Sequence, residues 1–235
     1  MNSNQVYVLI HSPLVGGLTW SLVADQMRQH GQHVVAPILK DSPDSKEPFW
    51  KQHVESISQT LAHISKDDVL TLVAHSGAGP LLSVIRQSIT NPVNAYVFVD
   101  AGIPRDGATR LELMKTEDSE WAKQFEEMLK HGGRFPDWSI DDLREIIPDE
   151  NLRNQLVTEI HPRTLPFFTE PIPVFRGWPD ASCVYILFSA PYKRTAAQAR
   201  RAGWQTYELN AGHFHMLVDA PAVTDIIVKV VKELI

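Results

Sequence analysis

One cysteine is all that this 235-residue chain contains. With Cys183 alone, no disulfide can close within the chain, and the fold must rest on a packed core. Cys183 lies in the apolar run "CVYILF" and reads as a small buried side chain. There is no CxxC or HExxH. His213 and His215 form a bare "HFH" pair with no further ligand cluster beside it, so no metal and no cofactor are expected. No run approaches the roughly 18 apolar residues that a membrane span requires. The start, "MNSNQVYVLIHS", lacks the basic opening and long apolar stretch of a signal peptide. The expectation is a cytoplasmic protein without a membrane partner. Positive charge is also short: 22 Lys and Arg against 28 Asp and Glu leave a net charge of −6. That argues against a nucleic-acid partner. The basic run "YKRTAAQARRAG", with Lys193, Arg194, Arg200 and Arg201, reads as a solvated helix face.

What is present is ordinary globular material, 43% hydrophobic and 21% charged. Short apolar runs rich in β-branched residues fall at Val6–Ile10, His33–Ala36, Val69–Ala74, Ala95–Asp100, Cys183–Phe188 and Thr206–Leu209. Their middles are apolar without alternation, as in strands buried on both faces. Helical patterns alternate with them, at 20–30, 49–65, 79–89, 196–202 and 221–235. This order predicts an α/β fold with a mostly parallel, doubly wound, six-stranded sheet. One connection is far too long for a simple crossover. After the strand ending at Asp100 no strong strand returns until about residue 181, and helical patterns appear at 110–131, 140–147 and 150–160. The division expected is a core of residues 1–104 and 176–235 with a helical cap of 105–175 over the carboxyl ends of the strands. Ligands of open α/β sheets bind there.

The stretch "VLTLVAHSGAGP" carries the chemistry. Ser76 stands between a buried strand and a helix start, flanked by small residues at Ala74 and Ala78. This is a loosened G-x-S-x-G elbow. Pro80 suits the first helical turn, where its missing N–H costs nothing. An ordinary strand-to-helix turn would look the same, so partners must decide. A serine needs a base, and the base needs an orienting carboxylate. His213 follows the last strand in "NAGHFHMLV", where the chain order Ser…Asp…His puts the base. His215 is the alternative, at the start of an apolar segment that favours packing or capping. For the acid, Ser189 to Tyr207 contains no Asp or Glu. Asp100 closes the apolar strand "YVFVD" on the same edge as Ser76, and a charge there needs a partner.

With these residues assembled, the chain resembles the α/β-hydrolase fold superfamily, and most closely its small cofactor-free esterase and hydroxynitrile-lyase type. Nearly the whole chain takes part. The elbow, "AGHF", the cap position and "VLIHSPLVGGLTWSLVADQM" carry the resemblance. The last of these is similar to the family's oxyanion segment, here His11-Ser12, Gly16-Gly17 and Trp20. The resemblance implies an oxyanion hole of Gly77 N–H and a second donor from the loop after the first strand. The position that should supply that donor is Pro13, which has no N–H. Losing such a donor costs roughly 2.7–4 kcal/mol of transition-state stabilisation. Leu14 N–H or the Ser12 hydroxyl must then substitute, or the site builds no strong oxyanion; the expectation is a shifted hole that uses Leu14 N–H. The implied activity is hydrolysis of an ester, thioester or lactone of a small, largely apolar molecule. A lyase of the same fold, or a ligand-binding protein with a retained triad, are the alternatives. His11, His75, Phe135, Trp138, Phe167 and Phe168 are the expected pocket residues. Monomer and homodimer both fit.

Overall fold

The computed structural model describes residues 4–234. The chain begins with β1 (Gln5–Ile10), α1 (Leu18–Gln29), β2 (His33–Val35) and α2 (Phe49–Leu61). Next come β3 (Val69–His75), a 3-10 turn (Ser76–Leu81), α3 (Leu82–Ser88) and β4 (Val93–Val99). The long connection then carries α4 (Arg110–Glu117), α5 (Ser119–Lys130), α6 (Glu150–Thr158) and α7 (Leu165–Thr169). The chain returns through β5 (Ser182–Leu187), a 3-10 turn (Ala190–Tyr192), α8 (Lys193–Arg201), β6 (Gln205–Glu208) and α9 (Ala220–Lys232). The six strands form one sheet in the order β2-β1-β3-β4-β5-β6, and every pair is parallel. The sheet is therefore wholly parallel where the sequence predicts a mostly parallel one.

The unbroken apolar runs of the strands have a simple cause. Successive side chains alternate between faces, and both faces are covered. Val6, Val8, Ile10, Leu70, Leu72, Tyr96, Phe98 and Tyr185 pack on one side, where α2, α3 and α8 bring Ile57, Ile85 and Ala199. Tyr7, Leu9, Val73, Val97, Val99, Val184 and Ile186 pack on the other, against Trp20 and Met27 of α1 and Ile227 and Val230 of α9. Sheet order reverses between β1 and β3, so the loops leaving those two strands face each other across a crevice at their carboxyl ends.

Two sequence expectations need correction. The helical pattern at 110–131 is two helices. Asp118 interrupts it and accepts hydrogen bonds from Glu120 N at 3.1 Å and Trp121 N at 2.9 Å, capping α5. The pattern at 140–147 forms turns, with Asp142 tied back to Ser139 N at 2.8 Å. The basic side chains Lys193, Arg194, Arg200 and Arg201 are exposed on α8. Among the described residues no helix is long and apolar enough to cross a membrane.

Three histidines are buried in this framework. His11 accepts a hydrogen bond from Leu39 N at 3.1 Å and donates from Nδ1 to Ser12 O at 2.9 Å, joining the loops after β1 and β2. Burial pushes its pKa down to about 4. Burial also lowers His53, in α2, and lowers His75, at the end of β3, well below the ordinary value. All three bind a proton less readily in the folded chain than in the unfolded one. Stability should therefore fall as the pH drops below about 6.5, and His11 alone should account for about 2 kcal/mol between pH 7 and pH 5. Urea unfolding at these two pH values tests this. The midpoint should move to lower urea at pH 5, and equal midpoints would contradict it.

Candidate active site

The elbow depends on backbone geometry. At the end of β3 the chain turns through Ser76, whose φ of 56° lies in the left-handed region. A non-glycine residue there is strained and stays only because its surroundings hold it. Gly102 N donates to Ser76 O at 3.2 Å, joining the turn to the segment after β4. Ala74 and Ala78 are fully buried. The small flanking positions therefore lie in the hydrophobic core and not in solvent. As an early residue of the 3-10 turn, Gly77 has no intrahelical acceptor for its N–H.

Asp100, one residue past β4, also has positive φ, at 42°, and is completely buried. Its Oδ1 accepts from Phe188 N at 2.6 Å and Ser189 N at 3.1 Å. Its Oδ2 accepts from the Ser189 hydroxyl and, at 3.1 Å, from His213 Nδ1. His213 thus meets the carboxylate, while the His215 ring packs against Phe188 at 5.8 Å between centroids. His75 is neutral in its buried position, and its Nε2–H donates to the His213 carbonyl oxygen at 3.0 Å. It braces His213 from behind.

Ser76 and His213 open into a cavity of about 1120 Å³. Of the expected pocket residues, Phe135, Trp138, Phe167 and Phe168 line it, as do Leu14 and Gly77. His11 and His75 are not among its lining, because the backbone contacts described above occupy them. The loop after β1 lies opposite the elbow. Leu14 N–H is taken up by Ser12 Oγ at 3.3 Å. Ser12 Oγ lies 3.0 Å from where a Cβ on Gly77 would stand, so the hydroxyl borders the Gly77 backbone. Among the described residues no group of three His, Cys, Asp or Glu is arranged to hold a metal ion.

The model of one family, the alpha/beta hydrolases, matches residues 7–225. The chain belongs to the alpha/beta hydrolase family. That membership places it among the hydrolases, and the site must say which bond it cleaves. A search of curated proteins finds no match. Among solved structures it is similar to an extracellular alpha/beta-hydrolase from a Paenibacillus species, which shares structural and functional homology with tobacco salicylic acid binding protein 2. Identity is 18%, the TM-score is 0.77, and the match covers 96% of this chain and 98% of that one. Tomato methylketone synthase I, complexed with 2-tridecanone, matches at 13% identity and TM-score 0.73 over 100% of both chains. A pyrethroid hydrolase from Sphingobium faniae JZ-2 matches at 17% identity and TM-score 0.72 over 98% of both. At such identities the likeness is one of fold.

Two features of this alpha/beta hydrolase escape sequence reading. The first is Tyr192. The Ser76 hydroxyl shares a hydrogen bond of 3.2 Å with Tyr192 OH, and the Tyr192 ring stacks on the His213 imidazole, 5.2 Å between centroids and 5° from parallel. Burial pushes the phenol pKa above its ordinary value. The Ser76 hydrogen bond opposes this and the Asp100 charge adds to it. In the sequence, Tyr192 only opens a basic run. The second is an ionic clasp between the long helical insertion and the core. Arg163 grips Asp41 with two bonds of 2.6 Å and reaches Pro13 O at 3.0 Å. His53 Nε2 donates to the same carboxylate at 2.8 Å. Burial alone would raise the Asp41 pKa, but the His53 and Arg163 hydrogen bonds outweigh it and hold the carboxyl well below its usual range. Nearby, Glu170 bonds Arg110 at 2.6 Å and accepts from Phe49 N at 2.8 Å and Trp50 N at 3.1 Å, capping the start of α2. The Arg110 guanidinium lies 4.0 Å from the Phe167 ring centre, and both residues belong to the cavity wall.

The elbow's packing yields a direct test. A Cβ on Gly79 would collide with the Gly102 carbonyl oxygen and stand 2.9 Å from Ala101 Cβ. Gly79→Ala should therefore destabilise the protein by about 1–3 kcal/mol, as overpacked sites do. Gly107→Ala, whose Cβ would meet nothing within 4 Å, serves as a comparison for the strain of positive φ alone, at 67°. Equal urea midpoints for Gly79→Ala and wild type would show that the segment after β4 moves freely away from the elbow.

Proposed function

We propose that this protein is a serine hydrolase acting on a carboxylic ester, thioester or lactone of a small, largely apolar molecule. The observation that carries the reading is the buried Asp100 bonded to His213 at 3.1 Å, with His213 and a serine held at a left-handed elbow lining one aromatic-walled cavity. Ser76 attacks the carbonyl carbon. His213 Nε2 takes the serine proton and later gives it to the departing alcohol or thiol. Asp100 holds the imidazole and stabilises its charged form. Water then cleaves the acyl-enzyme by the same route. The oxyanion meets Gly77 N–H and the Ser12 hydroxyl. Ser12 Oγ accepts from Leu14 N–H, which leaves its own hydrogen free to donate. A hydroxyl so placed makes up for the N–H missing at Pro13. Phe135, Trp138, Phe167 and Phe168 receive the apolar part of the substrate. The pyrethroid hydrolase and the Paenibacillus hydrolase among the similar structures support a hydrolytic reading. The substrate is a small molecule, and no cofactor takes part.

Intact-protein mass after exposure to a fluorophosphonate tests the nucleophile. One adduct is expected, located on Ser76 and absent from Ser76→Ala and His213→Ala. Asp100→Asn should keep its fold and lose about 10⁴-fold in kcat, because the amide turns the imidazole to the wrong tautomer. Absence of an adduct from the wild-type protein would overturn the reading and direct the search to lyase activity and ligand binding.

A further inference from the structure

We infer that Tyr192 is a catalytic residue whose phenol donates a hydrogen bond to the leaving-group oxygen of the tetrahedral adduct on Ser76. The inference rests on the hydrolytic reading above and names a group that reading does not use.

Sheet order sets the direction of approach. β3, which ends at the nucleophile, lies between β1 and β4, and β5 lies beyond β4. The loop after β1 brings Ser12 and Leu14 to one side of Ser76. Tyr192, in the 3-10 turn after β5, arrives from the other, the side of Asp100 and His213. The oxyanion of the adduct belongs on the β1 side, against Gly77 N–H and Ser12. The leaving group belongs on the His213 side, where the proton must be delivered. Tyr192 OH is on that side, 3.2 Å from Ser76 Oγ. In the adduct, Oγ and the leaving oxygen are bonded to one carbon, so the leaving oxygen stands next to Oγ, and on the His213 side it is turned toward Tyr192 OH.

The hydroxyl has no structural duty to explain it. Its hydrogen-bond partner is the nucleophile itself. The ring could stack on His213 equally well as phenylalanine, and a buried hydroxyl is a cost unless it is partnered. Burial keeps the phenol protonated, which suits a donor and not a base.

The step balances as follows. The bond from the carbonyl carbon to the leaving oxygen breaks, and its electron pair goes to that oxygen. The proton that His213 took from Ser76 moves from Nε2 to the same oxygen. Tyr192 keeps its own proton and stabilises the partial negative charge until that transfer is complete. The acyl group stays on Ser76. In deacylation the attacking water occupies the leaving group's place.

The test is Tyr192→Phe, assayed with esters of one short acyl group and alcohols of graded acidity, from p-nitrophenol to ethanol. A hydrogen bond to a charged group is worth about 1.5–3 kcal/mol, or about 10- to 100-fold in rate. That loss in kcat/KM, which reports the acylation step, is expected for the ethyl ester. Little loss in kcat/KM is expected for the p-nitrophenyl ester, whose leaving group needs no help. Tyr192→Ala also removes the stack on His213 and should lose rate across the whole series. An equal loss along the series in Tyr192→Phe, or none, would overturn the inference. A fluorophosphonate adduct retained by wild type and Tyr192→Phe keeps the nucleophile reading intact in that case. An unlabelled wild type overturns both.

Discussion

A carboxylate with no access to water organises the candidate active site. Burying an ionised Asp alone would cost far more than one domain's stability allows, so the chain must surround it with donors. Asp100 receives the amides of Phe188 and Ser189, the Ser189 hydroxyl and the His213 ring. These groups come from the loops after β5 and β6. Satisfying one charge at the tip of β4 therefore brings three strand ends into fixed relation, and His213 takes its place as part of that arrangement. From Ser189 to Tyr207 the chain has no Asp or Glu of its own. Here the loop after β5 contributes donors and, three residues later, Tyr192.

Much of the fold was legible because burial on both faces leaves a plain trace. Strands covered on both sides cannot alternate polar with apolar, and the six runs in the sequence match the six strands closely. Ser76, Asp100 and His213 could be named because the first two sit at strand tips and the third in the glycine-containing loop after the last strand, and because an acid-free stretch left few choices. The rest was hidden for a physical reason: it depends on contacts between distant segments. Arg163 and Asp41 are 122 residues apart, and nothing local marks either as a partner. Tyr192 lies in a run whose exposed charges dominate its appearance, while its own ring turns inward. The break at Asp118 was written in the sequence as an N-cap preceding Ser-Glu-Trp, but an apolar helical pattern on both sides masked it.

The helical insertion and the core are joined by charge where the sheet itself offers no hydrogen bonds. Asp41, Arg163 and His53 form one buried group, and Glu170 with Arg110 and the first amides of α2 forms another. Among the described residues Arg110 Nε and Nη2 and Arg163 Nε stay buried without a partner, so the charge pairing itself carries these groups. Removing one member leaves the remainder buried and unpaired, which is costlier than never having made the pair. On the opposite flank Glu117 accepts from Arg194 N and the Thr195 hydroxyl, so α4 is also tied to α8. The insertion is therefore fastened on both flanks.

That fastening bears on how a ligand's arrival would register as heat. A chamber held open by its own ionic ties keeps its aromatic walls apart whether or not anything fills it. Water inside such walls finds few partners, so an incoming apolar group gains contact without first ordering the protein. Binding of this kind is commonly driven by enthalpy near room temperature, and a negative heat-capacity change records the apolar surface covered. The ties at Asp41 and Glu170 would thus set the calorimetric character of recognition in this chamber from outside its walls.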